Sequence, residues 1–550
     1  MINSNSSTKI KKEYKQLFIL VLGFILYNLL FINKAFHIDD VFTIIMARAV
    51  NLNFFKVPEV CLSNPMLIGY YYAPIIKLFG EKEVWMHIFF LPFSLLAIIS
   101  MFFLSLRFVG KWLMPTLSLV ISPAFLLMSQ GIMLDIPVLA FSLGGLAAFI
   151  YGVDRSDNRL LFAGSILAGI ASLVKYSGLI FIPIMFIYAL LFSRRRFYLF
   201  LLIPLFMFII LCLHNGIFYK HIPFMNALLM RINSWSIDVV LLRLAAVLSF
   251  LTGTSLITLF LICFLLSKKN NRFLFVLSVP LALCLFLLKD KFVEYSYLEK
   301  FFLAILFSAS IFIILRIIKF FFASFLTKPL SKDNLFLSIW FLMFLVFTVA
   351  IQFIAARFIL LLLPPMFLLI YHEIFVQKMQ FFPVYKKAII CSIGVTFLIS
   401  TVLAIGDYQF AGIYRNFARY LKKEFNHNES IHFCPDSYDG FYAWGYSYYT
   451  NKYFPRVGGS GASTDFNQMR DVYFIVPTES VLPMVIQGFC ILEGHDKLDA
   501  TLVKQVDYKT NVFLHNLKHR TGFYSHDWGL LPFKLFLHET TLERFCIYRL

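Results

Sequence analysis

Five ionisable residues lie in or beside apolar runs, and their side chains could do chemistry together. They are the adjacent carboxylates Asp39 and Asp40, a third carboxylate, Asp135, and two isolated cations, Lys175 and Arg357. A positioned carboxylate can accept a proton from a reacting hydroxyl, and a lysine or arginine can stabilise an anion. Because ionisable groups are costly to keep in a membrane, each is a candidate functional residue. If they converge, they form an acid–base centre.

The composition is that of a membrane protein. Of the 550 residues, 60% are hydrophobic and only 14% are charged, whereas a soluble domain is usually about a quarter charged. The apolar residues recur in runs of about 16 to 25, the length needed to span a hydrocarbon core of ~30 Å. The chain is therefore predicted to be a polytopic α-helical membrane protein with about 13 transmembrane helices.

The net charge of +19 does not indicate a nucleic-acid partner. Its basic residues collect in short loops between the apolar runs, as the positive-inside rule describes. The first apolar run, Leu17 to Ile32, follows a lysine-rich start and is interpreted as a retained signal-anchor with a cytoplasmic N-terminus. The loop 35–83 is then outside, and the alternation of later spans brings Asp135, Lys175 and Arg357 to the same face.

A change of composition at Asp407 predicts a division into two domains. Residues 1–406 would form the membrane domain, and residues 407–550 a small soluble α/β domain on the periplasmic or extracellular side. Its expected elements are a helix with an apolar face from Ile413 to Phe425 and strands at Val472 to Val476 and Asn511 to Leu514. Four cysteines outside the apolar runs could form a disulfide in an oxidising compartment, although no pairing can be deduced. They are Cys61, Cys434, Cys490 and Cys546.

Each of the five residues also has a structural interpretation without chemistry. Asp39 and Asp40 could be solvated residues at a membrane boundary, and Asp135, two residues before Pro137, could cap a helix. Lys175 and Arg357 could extend to the interface from the ends of spans. Their common face is the observation that favours a functional site over these alternatives.

Short motifs around these residues follow one another in an order that resembles a known family. They are His37 to Asp40 with Ala47, Asn64-Pro65 and Tyr70 to Tyr72; Ser122-Pro123; Met133 to Pro137; Leu173 to Tyr176; and Arg357 to Pro365. Over about residues 15 to 405 the chain resembles the family 39 glycosyltransferases, which include protein O-mannosyltransferases and the bacterial aminoarabinose transferase of lipid A. In the usual Asp-Glu pair of this family, Asp39 matches the aspartate, and the chain departs by carrying Asp40 in place of the glutamate. It also carries Asn64 where the aminoarabinose transferase has lysine.

The resemblance implies a GT-C fold and a polyprenyl-phosphate-linked sugar as donor. Asp39 would deprotonate the acceptor hydroxyl as it attacks the anomeric carbon with inversion, while Lys175 and Arg357 hold the departing polyprenyl phosphate. Asp40 and Asp135 would complete the acid–base centre. Residues of the first outer loop would contact the sugar or acceptor: His37, Asn64, Tyr70 and Tyr71.

The partners that follow are membrane lipid, the lipid-linked sugar and an acceptor in the cell envelope. Lipid A or lipopolysaccharide, another glycan and an exported protein are all compatible as acceptors, with the enzyme in the inner (plasma) membrane. No cofactor and no metal ion are expected. A transporter or lipid flippase is the alternative, and it predicts charges near mid-membrane and repeated halves. A non-enzymatic assembly factor that binds envelope components through its aromatic C-terminal part is a third possibility.

Overall fold

A computed structural model describes most of the chain. The described residues are 4–193, 197–225, 236–265, 269–284, 295–326, 331–351, 354–377, 382–425, 430–433, 448–450, 472–477, 501–516, 521–525, 529–535 and 540–549. Cys434 and Cys490 lie outside them. The described part is a helical bundle followed by six short strands.

The helices follow one another with short connections. The first nine span Ser4–Leu29, Asp39–Leu52, Leu67–Phe79, Glu83–Val109, Leu113–Val120, Pro123–Met128, Asp135–Arg155, Asn158–Val174 and Phe181–Phe192. The later ones span Leu202–Tyr219, Ile237–Gly253, Ile257–Leu265, Lys269–Cys284, Tyr297–Leu326, Lys332–Ala350, Leu363–His372 and Phe382–Glu424. Four 3-10 helices lie between them, at Glu59–Ser63, Tyr176–Ile180, Phe197–Leu201 and Ala356–Leu361.

Six of the described helical segments are long and apolar enough to cross a membrane, and five shorter apolar ones accompany them. This confirms a polytopic α-helical membrane protein. The first helix, Ser4–Leu29, is not among the six. The expected total of about thirteen spans stays a prediction.

The expected third span, Trp112 to Met128, is two short helices in the structure. The first ends at Val120, and Pro123 begins the second. Ser122 caps the second helix by accepting a hydrogen bond from the amide of Phe125 at 3.3 Å. A proline has no amide hydrogen for the preceding turn and favours the first position of a helix, which explains the break.

The longest helix, Phe382–Glu424, joins two elements that the sequence predicted separately. The expected last span and the amphipathic helix from Ile413 are continuous, because no proline interrupts them. Past Asp407 the helix buries Phe417, whose ring stacks on Phe545 at 3.8 Å between centroids. The division into two domains at residue 407 stays a prediction, although one helix passes through that position.

The strands form a four-stranded sheet and a separate two-stranded sheet. In the order β1-β2-β6-β3, Ser430–Phe433 (β1) is parallel to Val472–Pro477 (β2), and Thr540–Arg549 (β6) lies antiparallel between β2 and Thr501–Thr510 (β3). Leu514–His515 (β4) pairs with Lys534–Leu535 (β5).

One of the two expected strands is correct. The strand expected at Val472 is β2, whereas most of the segment expected as a strand at Asn511 is the connection between β3 and β4. The Thr510 hydroxyl accepts a hydrogen bond from the amide of Val512 at 3.0 Å, which turns the chain there. Of the four cysteines expected outside the apolar runs, Cys61 is a buried free thiol and Cys546 is buried in β6.

The segment between β4 and β5 packs against the helical bundle. The amide of Ala356 donates to the carbonyl of Gly522 at 3.1 Å, next to Arg357 in the chain. Farther along, the amide of Leu530 donates to the hydroxyl of Tyr295 at 2.8 Å. The C-terminal part of the chain therefore reaches the loop that carries one of the candidate cations.

Candidate active site

A cavity of about 390 Å³ brings together four of the five ionisable residues. Asp39, Asp135, Lys175 and Arg357 all line it, and we refer to these four as the cavity cluster. They come from four different elements, separated by up to 318 positions in the chain. The convergence expected from the alternation of spans is therefore present in the structure.

The cavity cluster is held by its own charges. The Lys175 ammonium donates to Asp135 Oδ1 at 2.7 Å. The Arg357 guanidinium is ion-paired with Asp39 through one terminal nitrogen, and its Nε lies 3.7 Å from Asp135 Oδ2. Two carboxylates and two cations balance one another, so the cluster has no net charge when all four groups are ionised.

Each member stands at the end of a helix, where a side chain can point into a cavity. Asp39 and Asp135 are the first residues of Asp39–Leu52 and Asp135–Arg155, and a negative charge is favourable at a helix N-terminus. Lys175 follows the last turn of Asn158–Val174 in extended backbone, and Arg357 lies in the 3-10 helix Ala356–Leu361.

Two hydrogen-bond donors in the wall of the cavity are unused. Arg357 Nε and the Ser177 hydroxyl are buried, and neither has a hydrogen-bond partner among the described residues. An unsatisfied buried donor is expensive to maintain. Both residues line the cavity near Lys175, so these donors could bind an anion that enters it.

The ring of Phe358 orients both cations. Lys175 Nζ lies 4.0 Å from the ring centroid and Arg357 Cζ lies 5.4 Å from it, distances at which an aromatic face attracts a cation. Burial lowers the pKa of Arg357, but Asp39 and Asp135 raise that pKa further above its usual value. Arg357 is therefore charged at every physiological pH.

Asp40, although adjacent to Asp39, belongs to a second set of contacts, of which only Tyr524 also lines the cavity. We refer to this set, Lys34, His37, Asp40, Asp407 and Tyr524, as the buried network. Lys34 is ion-paired with Asp407, and both side chains are fully buried.

The His37 ring joins the other members of the buried network. His37 Nδ1 lies 3.1 Å from Asp40 Oδ2, and its Nε2 lies 2.9 Å from the Tyr524 hydroxyl. The Tyr524 hydroxyl donates to Asp407 Oδ1 at 2.8 Å. Asp40 Oδ1 in turn accepts the amide of Ile132 at 2.7 Å, so both of its oxygens are used.

Charges within the buried network hold His37 and Asp40 ionised. Burial lowers the pKa of His37, but the Asp407 and Asp40 carboxylates raise that pKa above its usual value. Burial raises the pKa of Asp40, but the hydrogen bond and charge of His37, together with Lys34, hold that pKa below its usual value. His37 and Asp40 thus stabilise each other's ionised form, in a network that also contains the Lys34–Asp407 ion pair and the neutral Tyr524 hydroxyl.

The backbone between His37 and Asp39 is strained. Ile38 has φ 50° and ψ −125°, a conformation that favours glycine and is rare for a β-branched residue. Such a conformation costs about 1–3 kcal/mol and persists only where the surroundings impose it. Here His37 on one side and Asp40 on the other are fixed by the buried network. The strain therefore coincides with the turn that presents Asp39 to the cavity.

The remaining residues expected in the site are divided between two environments. Asn64 lines the cavity, whereas Asp40, His37, Tyr70 and Tyr71 do not. The Tyr70 hydroxyl donates to the carbonyl of Phe54 at 2.7 Å and the Tyr71 hydroxyl to that of Phe89 at 2.8 Å. The Tyr70 hydroxyl thus joins two parts of the loop 35–83, and the Tyr71 hydroxyl joins the loop to the helix Glu83–Val109.

Four residues of the site, three in the buried network and one in the cavity wall, were not identified from the sequence. Lys34 and Asp407 are isolated charges beside apolar runs, the same signal that identified Lys175, so they could have been found. Ser177 and Tyr524 carried no such signal, because serine and tyrosine are ordinary in their sequence contexts. Within the described ranges, no group of three or more His, Cys, Asp or Glu side chains is arranged to hold a metal ion.

The fold and the cavity define the class of the protein: a polytopic α-helical membrane protein with an ion-paired cavity at the ends of its helices. Two solved structures resemble it, both of ArnT from Cupriavidus metallidurans. The apo crystal structure shares 12% identity, with 86% of this chain and 95% of that chain covered and a TM-score of 0.42. The structure bound to undecaprenyl phosphate shares 12% identity, with 78% and 84% covered and a TM-score of 0.38. No family model and no curated protein matches the chain.

Proposed function

We propose that the protein is a membrane glycosyltransferase that takes a sugar from a polyprenyl-phosphate donor and transfers it to a hydroxyl of a cell-envelope acceptor. The observation that carries the proposal is the cavity cluster. A base candidate, Asp39, and two cations lie in one cavity, and two unused donors, Arg357 Nε and the Ser177 hydroxyl, line its wall. The resemblance to family 39 glycosyltransferases, a GT-C fold and inversion at the anomeric carbon are parts of the same proposal.

The cations support a phosphate as the ligand. Lys175 and Arg357 flank Asp135 and the ring of Phe358, so a phosphate between them would meet two positive charges. Arg357 Nε and the Ser177 hydroxyl would add hydrogen bonds that the protein itself does not use. Charge-assisted bonds of this kind are the strong ones in phosphate recognition.

The rest of the cavity supports a lipid on that phosphate. Much of its wall away from the charges is apolar, and it includes Phe42, Val138, Phe224, Phe347 and Ile351. The helix Asp135–Arg155 and the segment Lys332–Ala350, which ends beside Ile351, are both candidate spans. A chain of isoprene units could therefore lie along apolar surface from the membrane to the charged end of the cavity.

The chemical step is a displacement at the anomeric carbon. The acceptor hydroxyl oxygen forms a bond to that carbon, its proton passes to Asp39, and the bond from the carbon to the phosphate oxygen breaks. The electron pair leaves with the polyprenyl phosphate, whose additional negative charge Lys175 and Arg357 stabilise. No group other than acceptor, donor and Asp39 is needed to balance the step.

Arg357 links donor binding to the base. In the structure Asp39 is ion-paired with Arg357, so one of its carboxylate oxygens is occupied. A phosphate that binds Arg357 competes with Asp39 for the same guanidinium. Donor binding would then release Asp39 to accept a proton while the acceptor is in position.

The other untested residue assignments follow from their positions. Asn64 on the cavity wall is proposed to contact the sugar, and Asp135 to position the two cations. We further propose that Asp40 and His37 hold the Asp39 turn, and that Tyr70 and Tyr71 shape the loop. The cavity end of the bundle and the C-terminal part are proposed to face the outer side of the inner membrane.

The test is turnover by the purified protein in lipid nanodiscs with a panel of polyprenyl-phosphate sugars and lipid, glycan and peptide acceptors. We expect sugar transfer from at least one donor, and Asp39→Asn should lower kcat by on the order of 10²- to 10⁴-fold. Asp507→Asn, at an exposed ion pair of β3, is the matched control and should leave turnover unchanged. If the folded wild-type protein neither binds nor turns over any lipid-linked sugar, a transporter becomes the favoured interpretation.

A further inference from the structure

Tyr524 is a residue of the C-terminal part of the chain that reaches the candidate active site. It lines the cavity, and its side chain is almost fully buried there. Its hydroxyl bonds to both His37 and Asp407, and its ring centroid lies 5.9 Å from Arg357 Cζ. One side chain therefore contacts the buried network through its hydroxyl and the cavity cluster through its ring.

The hydroxyl of Tyr524 is committed to the protein. Burial and the Asp407 carboxylate raise its pKa well above the usual value, so it stays protonated and donates to Asp407. Its oxygen can then accept from His37 Nε2 at 2.9 Å. It has little capacity left to take part in proton transfer with a substrate.

His37 is the residue through which Tyr524 can act on Asp39. The His37 ring is held on one side by Tyr524 and on the other by Asp40, and between His37 and Asp39 stands only the strained Ile38. Strained backbone relaxes unless its neighbours are fixed. Without the Tyr524 hydroxyl, Nε2 of the His37 ring loses its nearest partner and keeps only Asp407 Oδ1, at 3.4 Å, so the turn that presents Asp39 is held less firmly.

We infer that Tyr524 is a positioning residue through which the C-terminal segment fixes the catalytic turn at Asp39, an inference that rests on the proposed function. Its hydroxyl holds the turn by way of His37. Its ring forms part of the cavity wall and supports the Arg357 guanidinium. The C-terminal part of the chain is thus a structural component of the active site, in addition to any contact it makes with an acceptor.

Two substitutions separate the roles of hydroxyl and ring. Tyr524→Phe keeps the ring and should lower kcat by on the order of 10- to 100-fold, because a displacement of the base by about 1 Å has effects of that size. Its KM for the donor should stay within about twofold of wild type, since Arg357 keeps its neighbour. Tyr524→Leu removes the ring as well and should also raise the donor KM.

Tyr371→Phe is the matched control. Tyr371 is fully buried, its hydroxyl bonds to the Ser118 hydroxyl at 2.8 Å, and neither residue lines the cavity. Loss of that bond is expected to lower stability without changing kcat per folded molecule. An equal fall of kcat in Tyr371→Phe and Tyr524→Phe would overturn the inference, as would wild-type kcat in Tyr524→Phe.

Hydrogen exchange of the amides of residues 36–42 tests the inference independently of turnover. The amide of His37 is bonded to Asp40 Oδ2 and that of Asp40 to the carbonyl of His37, so exchange reports on the turn itself. We expect faster exchange there in Tyr524→Phe than in wild type or Tyr371→Phe. Unchanged exchange would overturn the inference. If the wild type transfers no sugar, the proposed function fails, and the exchange result alone decides whether Tyr524 holds the turn.

Discussion

Asp39 and Asp40 are neighbours in the chain but belong to two regions with different properties. The Asp39 side chain is 27% exposed, and it faces a cavity with unused donors in its wall. The Asp40 side chain is fully buried, and both of its oxygens accept hydrogen bonds. The cavity cluster and the buried network thus both contain ion-paired charged groups. Those of the cavity cluster line space that a ligand can enter, whereas Asp40 in the buried network is closed off by its own hydrogen bonds.

This difference fits two separate roles: the cavity cluster could react with a ligand, and the buried network holds the turn that carries Asp39. In the cavity cluster, a ligand can replace one ion-pair partner by another, because unused donors line the same cavity. In the buried network, no group can lose its partner without leaving a charge uncompensated in a medium of low polarity. A site that reacts needs exchangeable contacts, and the turn that carries it needs contacts that do not exchange.

The largest expected effect is in the buried network. Asp407→Asn leaves the Lys34 ammonium buried without its counter-charge, which should destabilise the fold by about 3–5 kcal/mol. The measurement is thermal unfolding of the protein in detergent. The double variant Lys34→Met with Asp407→Asn removes the uncompensated charge and should be more stable than Asp407→Asn alone. If the two variants unfold at the same temperature, an uncompensated Lys34 charge is not what destabilises Asp407→Asn.

The next effect should be on ligand binding in the cavity cluster. Arg357→Ala removes charge-assisted hydrogen bonds to phosphate that are worth about 1.5–3 kcal/mol, so polyprenyl phosphate should bind about 10- to 100-fold more weakly. Titration of the lipid phosphate into nanodiscs measures this. Arg48→Ala is a matched control, since Arg48 is a half-exposed arginine of the loop 35–83 that is paired with Glu81 and does not line the cavity. Equal affinity in Arg357→Ala and wild type would contradict a phosphate at this position.

A smaller effect with the opposite sign is expected at Asp135. Because its carboxylate competes with a phosphate for Lys175 and Arg357, Asp135→Asn should tighten polyprenyl phosphate binding by about threefold to tenfold, or about 1 kcal/mol. Turnover should fall all the same, since the two cations lose the group that positions them. Binding that becomes weaker in Asp135→Asn would show that positioning outweighs competition.

The smallest expected effect is the pH dependence of stability in the buried network. Asp40 has a lowered pKa in the folded protein, so its contribution is present above the usual value of 3.8 and is lost as pH falls through the folded-state pKa. His37 has a raised pKa, so its contribution is complete below the usual value of 6.5 and is lost as pH rises through the folded-state pKa.

The apparent Tm should therefore be highest between these two values and fall by a few degrees on either side. His37→Gln should flatten the alkaline side of this profile and leave the acid side in place. If the apparent Tm of His37→Gln falls equally steeply at alkaline pH, the decline is caused by groups other than His37.

Much of the fold and part of the site follow from local features of the sequence. Apolar runs predict spans wherever they occur, because the length of a run and the thickness of a membrane are matched independently of tertiary contacts. The isolated charges Asp39, Asp135, Lys175 and Arg357 could also be selected from the sequence alone, because the cost of keeping an ionisable group in a membrane applies to each residue separately. Their convergence followed from counting spans, which is again a property of the chain alone.

Other features depended on contacts between distant parts of the chain. The sequence offered no means to tell Asp39 from Asp40, since the two carboxylates are chemically alike. What separates them is the strained Ile38 and the partners that surround each one, which come from positions near 132, 357, 407 and 524. The role of Tyr524 was invisible for the same reason.

The sequence by itself therefore determined that the chain enters a membrane and which charges are worth examining, because hydrophobicity and the cost of burying a charge act residue by residue. Only the tertiary structure decided which carboxylate faces the cavity and which is buried. That choice depends on how ion pairs and hydrogen bonds are shared among residues hundreds of positions apart, and such sharing is fixed only when the helices pack.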